Sequence, residues 1–302
     1  MSTLLTGATG FIGSFIARNN NDFNCVVRKN ERRSFNLSFG IDKLDGNTNW
    51  EGAFSHIDSV IHLAGLAHSR SCINKDYQSV NVDGTLHLAN EAAKGGVKRF
   101  VFVSSIGVNG TSSSDVPFSI LSTVNPNNDY AQSKYDAEIG LKKISTETGM
   151  ELVIIRPTLV YGPNAPGNFG SLARLVFRFP FLPFALVNNR RDFISVQNLA
   201  DLLVTCAKHP KAGGHTFLAS DSETVSISEF TQAIAKGFRT NLFQLPVPIG
   251  LMCLAGKLLG KSIMIEQLVG NLEVDSSNLK EILDWIPPYT MEQSMAFLKP
   301  EK

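Results

Sequence analysis

The chain has 302 residues, of which 43% are apolar and 18% charged, so it is long enough for a sizeable core and too apolar for a disordered protein. Its 28 basic and 27 acidic residues leave a net charge of +1, which points to no nucleic-acid partner. We therefore expect any anionic ligand to be held by a local site rather than by overall charge.

Short apolar runs alternate with helical patterns through the first half of the chain. Strands are predicted at residues 2–7, 23–28, 58–65, 98–105 and 151–157. Helical patterns begin at Phe11 and cover residues 76–95 and 129–147. Strands without strict alternation, interleaved with helices, indicate a parallel sheet covered on both faces. The predicted fold class is therefore α/β, a doubly wound parallel sheet whose ligands bind beyond the carboxyl ends of the strands.

After Pro157 the pattern changes to short helices and loops rich in glycine and proline. A strand followed by a helix over residues 192–209, and a strand at residues 215–220, are predicted to rejoin the sheet. The remainder is predicted to form a smaller, mostly helical lobe. The expected division is a dinucleotide-binding domain of residues 1–163 plus 191–221 and a lobe of residues 164–190 plus 222–302.

Cysteines and apolar stretches indicate a cytoplasmic protein without a membrane span. The cysteines are far apart and show no metal-ligand spacing, so we expect buried free thiols and no metal site; they are Cys25, Cys72, Cys206 and Cys253. The first predicted strand leaves no room for a signal peptide. Charged residues and prolines interrupt the most apolar stretches, 171–187 and 245–265. For residues 249–260 we favour a core helix over association with a membrane surface.

The motif "TGATGFIG", residues 6–13, lies between the first predicted strand and the first predicted helix. Gly7 permits a tight turn, Gly10 lets the backbone approach a pyrophosphate, and Gly13 allows close packing of helix on sheet. The start of the helix offers free N–H groups and a positive dipole end to phosphates. In this context the motif predicts a dinucleotide site.

The end of the second predicted strand bears on which dinucleotide binds. A carboxylate about 20 residues beyond the first glycine would accept from the ribose 2′-hydroxyl, but residue 28 is an arginine, and Lys29, Arg32 and Arg33 follow it with Glu31 between. A guanidinium matches a phosphate dianion through paired N–H donors. We therefore predict a preference for NADP(H), with NAD(H) as the other option.

The stretch "DYAQSKYDAE", residues 129–138, places Tyr130 and Lys134 on one face of a predicted helix. A phenol with a pKa of about 10 is a poor acid or base at neutral pH. A nearby ammonium would lower the pKa of Tyr130 by favouring phenolate. Upstream, Ser104 and Ser105 end a predicted strand, where a hydroxyl could face the same substrate oxygen.

Together with these residues, the motifs "TGATGFIG", "HLAG" (62–65), "NVDGT" (81–85), "RPTLVYGP" (156–163) and "RRDFISVQNLADLL" (190–203) resemble the extended short-chain dehydrogenase/reductase family that acts on nucleotide sugars. The resemblance covers nearly the whole chain. It implies a Rossmann fold with a nucleotide-sugar-binding lobe, a nucleotide-sugar substrate that is UDP-linked, and a homodimer paired through the two long helices.

The resemblance also implies roles for individual residues. Tyr130 would be the proton donor or acceptor, Lys134 the group that tunes its pKa, and Ser105 the hydroxyl that orients the substrate oxygen. Asn168 and Arg191 fall where the family contacts the sugar diphosphate. The implied cofactor-binding residues are Gly7, Thr9, Gly10, Phe11, Ile12, Gly13, Arg28, Leu63, Ala64, Gly65, Asn81, Tyr130, Lys134 and Pro157.

The family includes 4-epimerases, 4,6-dehydratases and 4-ketoreductases. Dehydratases carry Thr-Asp-Glu after this strand, where this chain has Ser105, Ile106 and Gly107, so we do not expect dehydration. Asn109 stands where the family often has the tyrosine of "VYG", which leaves the substrate contact there undefined.

Because Arg28 favours NADPH, we expect a 4-ketoreductase rather than an epimerase. The stretches "SSIGVNG" (104–110) and "NNRRDF" (188–193) resemble bacterial enzymes of O-antigen and polysaccharide biosynthesis. This resemblance implies a nucleotide-linked 4-keto-6-deoxyhexose of the UDP-N-acetylhexosamine type as the substrate. The alternative is an NAD(P)-dependent UDP-hexose 4-epimerase. A third option is a non-catalytic dinucleotide sensor or scaffold, because fold alone does not determine function.

Overall fold

The computed structural model describes residues 2–19, 22–31, 35–67 and 73–298, apart from the side chains of residues 263 and 264. The strands are β1 (Thr3–Thr6), β2 (Phe23–Arg28), β3 (Ser38–Ile41), β4 (Ser59–His62), β5 (Arg99–Val103), β6 (Glu151–Pro157), β7 (Leu159–Tyr161), β8 (Phe181–Leu182), β9 (Phe193–Ser195), β10 (Thr216–Ala219) and β11 (Phe243–Gln244). The helices are α1 (Phe11–Asn19), α2 (Asn74–Tyr77), α3 (Gly84–Lys94), α4 (Asp129–Thr148), α5 (Gly167–Arg178), α6 (Val196–Lys208), α7 (Ile227–Phe238), α8 (Ile249–Leu258), α9 (Ser262–Val269), α10 (Ser277–Leu283) and α11 (Met291–Met295). A π-helical stretch, Gln78–Asp83, joins α2 to α3, and 3₁₀ turns cover Ile106–Val108 and Ala296–Leu298.

Within the described residues, seven strands form one parallel sheet in the order β10-β6-β5-β4-β1-β2-β3. The strand order reverses at β1, so the carboxyl ends of β1 and β4 open a crevice where ligands bind in such sheets. The predicted α/β, doubly wound fold is confirmed. The edge strand β3 was not predicted, because Ile41 is its one buried side chain and the strand lacks an apolar run.

Alternate residues of the central strands face the two helical layers, as the pleat of a strand requires. One set packs with α1 and α6 and includes Leu5, Ile61, Val101 and Val153. The other set packs with α3 and α4 and includes Leu4, Val60, Phe100 and Leu152. Because both faces are buried, apolar residues stand at consecutive positions in these strands instead of alternating with polar ones, which is the pattern that predicted them.

The strand within residues 192–209 does not rejoin the large sheet, so that prediction was wrong. β9 pairs in parallel with β7 instead. The carboxylate of Asp221 accepts hydrogen bonds from the backbone N–H of Ser195, the amide of Asn198 and the hydroxyl of Tyr161. This buried carboxylate holds β9 beside β7. β10 does join the large sheet, where it pairs with β6 as predicted.

The residues predicted to form a lobe are mostly helical and contain a hydrophobic core distinct from the two layers on the sheet. That core includes Phe169, Phe184, Phe230 and Met252. The ring of Phe230 stacks on Phe193 of β9 at 3.7 Å between centroids, which anchors the lobe to the β7–β9 pair. The domain boundaries and the pairing of α3 and α4 with a second copy stay predictions.

α8 is not the core helix that we predicted for residues 249–260. Met252 and Gly256 are buried, but Leu251, Leu254 and Leu258 on the other side of the helix are exposed. The apolar content of the segment predicted burial, but only one side of the helix has a partner within the described chain. In the ranges that the structure describes, no helix is both long and apolar enough to cross a membrane.

The thiols of Cys25 and Cys206 are free and buried, as predicted, and burial raises the pKa of Cys25 to about 11. Cys253 is free but only partly buried. Cys72 lies outside the described residues. Among the residues described, no group of three His, Cys, Asp or Glu side chains is arranged to hold a metal ion.

Candidate active site

A cavity of about 500 Å³ opens at the carboxyl edge of the large sheet, bounded on one side by the helical lobe. The predicted site residues that line it are Gly7, Gly10, Phe11, Ile12, Gly13, Leu63, Gly65, Ser105, Tyr130, Lys134, Pro157, Asn168 and Arg191. Those that do not line it are Thr9, Arg28, Ala64 and Asn81. The fold thus brings most of the predicted residues to one cleft, where their roles stay predictions.

The loop between β1 and α1 has a shape that requires glycine. Gly7 adopts a φ of 72°, and a Cβ atom there would lie 2.8 Å from the backbone nitrogen of Ala64. A Cβ atom on Gly13 would lie 2.1 Å from the carbonyl oxygen of Gly7. The first turn of α1 therefore packs directly against the loop and directs its N-terminal N–H groups and positive dipole end at the cleft. This loop fits a pyrophosphate.

Hydrogen bonds from buried polar side chains fix the loop that follows β4. The hydroxyl of Thr6 accepts from the backbone N–H of Ala64 and hydrogen-bonds Nδ1 of His62. The amide of Asn81 both donates to and accepts from the backbone of Leu66. Ala64 and Asn81 therefore position the loop rather than line the cleft. His62, which the sequence analysis did not single out, is neutral, because burial lowers its pKa to about 3.

The NADP(H) prediction assumed that Arg28 is free to bind a phosphate, but Arg28 is paired with a carboxylate. Its guanidinium donates to the carboxylate of Glu31 through Nε at 3.0 Å and Nη2 at 2.6 Å. Desolvation raises the pKa of this carboxyl, but the side chains of Arg28 and Thr9 together outweigh it, so the pKa lies below its usual value. Glu31 therefore lies between Arg28 and the loop. Arg32 and Arg33 lie outside the described residues.

Tyr130 and Ser105 meet at the cleft. Asn128 caps α4 by accepting from the backbone N–H of Ala131, which begins the helix just before the phenol. The hydroxyl of Ser105 accepts from the N–H of Gly107 at 3.1 Å, and Ser105 and Tyr130 both line the cavity. Desolvation and the neighbouring Tyr77 raise the pKa of Tyr130 to about 12, and the side chain of Ser105 partly offsets this rise.

Lys134 stays a predicted modulator of Tyr130, although the structure gives no lowering of the Tyr130 pKa. Its ammonium donates to the carbonyl oxygen of Val103 at 3.0 Å and lies 4.8 Å from the centre of the Phe102 ring. Burial lowers the pKa of Lys134 to about 8, against an opposing effect of Glu138. Tyr130 and Lys134 share one face of α4, but the ammonium of Lys134 contacts the end of β5 at Val103.

A buried ion pair lies below these residues. Arg156 of β6 donates to both carboxylate oxygens of Glu138 on α4, at 2.9 Å and 2.5 Å, and both side chains are almost fully buried. The hydroxyl of Ser104 donates to Glu138 at 2.5 Å, and Oδ1 of Asn109 accepts from Arg156 at 2.9 Å. Ser104 is thereby engaged in the network, while the adjacent Ser105 faces Tyr130. The sequence analysis identified neither Glu138 nor Arg156.

Asn168 and Arg191 also line the cleft. Asn168 lies in the first turn of α5. Arg191 donates through Nη1 to the carbonyl oxygens of Gln267 and Gly270, so it fixes the end of α9 against the cleft. Burial lowers the pKa of Arg191 to about 10, which leaves it charged at neutral pH. A cation and an amide thus face the same space as the glycine loop.

Comparison with known proteins agrees with this geometry. Residues 3–219 match the family described as "NAD dependent epimerase/dehydratase family". A UDP-glucose 4-epimerase of Vibrio cholerae is 40% identical, over 97% of this chain and 92% of the relative. An N-acetyl-alpha-D-glucosaminyl-diphospho-ditrans,octacis-undecaprenol 4-epimerase of Escherichia coli O157:H7 is 24% identical, over 97% and 93%. The structure of a Thermotoga maritima UDP-glucose 4-epimerase with UDP-glucose superposes with a TM-score of 0.74 at 20% identity, covering 99% and 97% of the two chains.

Removing the charge of Glu138 should destabilise the protein severely. In a Glu138→Gln variant the guanidinium of Arg156 stays buried without its counter-ion, so we expect the free energy of unfolding to fall by about 3–5 kcal/mol. Glu147→Gln is the matched control, because Glu147 pairs with Lys143 on the exposed side of the same helix and should cost less than about 1 kcal/mol. Urea unfolding measures both. Equal losses in the two variants would contradict a dominant role for the buried pair.

Lys134→Met should stabilise the protein at neutral pH. The pKa of about 8 in the folded protein lies below the ordinary lysine value of 10.5, so the fold holds a buried charge that costs about 3 kcal/mol. At pH values between these two pKa values the unfolded chain binds more protons than the folded protein, so the stability of the unmodified protein should rise with pH. The difference in unfolding free energy between Lys134→Met and the unmodified protein should therefore disappear as the pH rises. Urea unfolding across this range measures it, with the exposed Lys142→Met as control. A difference independent of pH would contradict the burial argument.

Proposed function

This chain belongs to the NAD dependent epimerase/dehydratase family, and we propose that it is a 4-epimerase of a nucleotide-linked hexose, with UDP as the carrier. The observation that carries the proposal is that Ser105 and Tyr130 line the same cleft as the glycine loop. The Vibrio cholerae relative, which is named a UDP-glucose 4-epimerase, supports the choice of reaction and carrier.

A nicotinamide dinucleotide fits the residues of the cleft. The glycine loop offers N–H groups to a pyrophosphate, and the close approaches at Gly7 and Gly13 leave room for nothing larger than glycine. Leu63, Gly65 and Pro157 line the same cavity beyond the loop. When bound, the nicotinamide accepts a hydride from the sugar and returns it. Side chains of the protein would carry out the proton transfer and the binding and orientation of the sugar nucleotide.

Tyr130 moves the proton at the sugar oxygen. For oxidation its phenolate would accept the proton of the C4 hydroxyl, and for reduction the phenol would return a proton to the same oxygen. The hydroxyl of Ser105 donates to that oxygen and holds it in place. Because both donors are positioned before substrate arrives, they stabilise the charge that develops on the oxygen without reorganisation.

Lys134 and Arg191 supply the positive charges of the site. We assign Lys134 to the hydroxyls of the nicotinamide ribose, since its ammonium lies beside Gly65 and Tyr130 at the cleft wall. We assign Asn168 and Arg191 to the sugar diphosphate, since they line the same cavity as Ser105 and Tyr130. A guanidinium already oriented by two carbonyl oxygens loses little freedom when it binds a phosphate.

A 4-ketoreductase, the reaction preferred in the sequence analysis, is the second candidate. The raised pKa of Tyr130 favours it, because a phenol that holds its proton is ready to protonate an alkoxide. The argument from NADPH is weaker than the sequence suggested, because Arg28 is already paired with Glu31. A dinucleotide sensor remains the third candidate.

The experiment that tests these functions incubates the purified protein with dinucleotide and one sugar nucleotide at a time. Interconversion of C4 epimers without net change in NADH or NADPH supports the epimerase. Stoichiometric loss of NADPH on a UDP-4-keto-6-deoxyhexose would replace it with the reductase, and no turnover with tight dinucleotide binding would favour the sensor. The E. coli relative suggests including a lipid-diphosphate-linked sugar among the substrates.

Tyr130→Phe should abolish most turnover while the protein still binds dinucleotide. Loss of the phenolic proton removes the general acid and base, so kcat should fall about 100- to 10,000-fold. Tyr135→Phe on the same helix is the matched control and should retain activity, because Tyr135 does not line the cleft. Steady-state kinetics and dinucleotide titration measure the two effects. Near-normal turnover of Tyr130→Phe would remove Tyr130 from the mechanism.

We propose a preference for NADP(H) only when Arg28 is released from Glu31. Glu31→Gln should raise the ratio of the binding constants for NADPH over NADH about tenfold, because the freed guanidinium can bind a 2′-phosphate through charge-assisted hydrogen bonds. Adding Arg28→Ala to this variant should return the ratio to that of the unmodified protein. Lys29→Gln is the control, since Lys29 pairs with Asp42 instead. A ratio that does not change in Glu31→Gln would show that this pair does not select the dinucleotide.

A further inference from the structure

One side of α8 is apolar and has no partner in the described chain. Leu251, Leu254 and Leu258 recur at helical spacing and are each more than half exposed. On the other side of the helix, Met252 joins the lobe core, and Gly256 packs so closely on Ile265 of α9 that a Cβ atom would lie 2.7 Å away. α8 is therefore fixed in place by one side and presents leucines to the surroundings with the other.

Further exposed apolar side chains lie on the β8–β11 ribbon, which leads into α8. Phe181 and Phe243 are opposite each other in the ribbon, their rings stack at 5.7 Å, and both are more than half exposed. Phe179 is also half exposed and precedes β8, while β11 leads within five residues into α8. We define the apolar face as Phe179, Phe181, Phe243, Leu251, Leu254 and Leu258. Large exposed apolar side chains concentrated in adjoining segments are typical of interaction surfaces.

The segments that build the apolar face carry only positive charge. Residues 167–189 and 240–265 contain no Asp or Glu, while the whole chain is balanced in charge. Their cations are Arg174, Arg178, Lys257 and Lys261, all exposed. In the part of the chain that the structure describes, none of these four forms an ion pair with a carboxylate. The cations are available to an anionic partner.

We propose that the apolar face docks on the surface of an anionic phospholipid bilayer. Its aromatic and leucine side chains would enter the boundary between headgroups and acyl chains, and the four cations would meet lipid phosphates. An anionic bilayer offers an apolar interior to the exposed apolar residues and negatively charged phosphates to the unpaired cations. A second copy is a poorer match, because a self-complementary interface would bring the cations of both copies together.

The docked orientation would place the cleft near the bilayer. α9 lines the cleft with Gln267 and Leu268, and α8 packs on the outside of α9. Only one helix therefore separates the apolar face from the cavity wall. A sugar diphosphate attached to a lipid could reach the cleft from that side. Membrane docking goes beyond the proposed function and does not depend on it, because lipid binding can be measured without turnover.

Co-sedimentation of the whole protein with vesicles tests the proposal. We expect binding to vesicles of equal parts phosphatidylcholine and phosphatidylglycerol, weak binding to phosphatidylcholine alone, and loss of binding at high salt. Replacing Lys257 and Lys261 by Gln should lower the partition coefficient about fivefold for each cation removed. Leu254→Glu should reduce binding at least as much, because it places a carboxylate within the apolar face.

Leu37→Glu is the matched control, since Leu37 is 52% exposed and Leu254 is 53% exposed, and Leu37 lies beside the edge strand β3. Circular dichroism and dinucleotide binding check that each variant is folded, and Leu258→Glu replaces Leu254→Glu if that variant is not. Absence of vesicle binding, or equal loss in Leu37→Glu, would overturn the proposal. So would a lipid-free dimer, seen by sedimentation velocity, that Leu254→Glu dissociates.

Discussion

The buried pair of Glu138 and Arg156 is the constraint on which the cleft depends. Two charges removed from water are tolerated only when their hydrogen-bonding groups are satisfied, and here Ser104 and Asn109 complete the network. The pair joins α4 to β6, and Ser104 ties the end of β5 to both. These hydrogen bonds fix β5, β6 and α4 relative to one another, and they thereby fix the positions of Ser105 and of the first turn of α4.

The same burial sets the protonation states of the site. Tyr130, Lys134 and His62 all lie in a region of low polarity, and desolvation is the largest cause of the pKa change in each of them. Each group is thereby pushed towards its neutral form. At neutral pH the phenol of Tyr130 therefore holds its proton and the imidazole of His62 carries no charge.

Features encoded over short distances in the sequence could be predicted, whereas features set by tertiary packing could not. The strands of the sheet other than β3, the glycine loop and the shared face of Tyr130 and Lys134 follow from local patterns, and all occur in the structure. Helical spacing does not reveal how deep a side chain reaches, so the contact of Lys134 with β5 was missed. The pairing of Arg28 with Glu31 and the exposure of α8 likewise depend on which neighbours the fold supplies.

The helix α4 carries three chemically different groups in a single line. Tyr130, Lys134 and Glu138 follow one another at intervals of four residues, from the cleft down to the buried pair. Each residue of an α-helix advances the side-chain direction by about 100°. A single insertion or deletion between the first and last of them would therefore turn the phenol away from the cleft while the carboxylate stayed anchored. Functional homologues should align across this stretch without gaps, even where their loops differ in length.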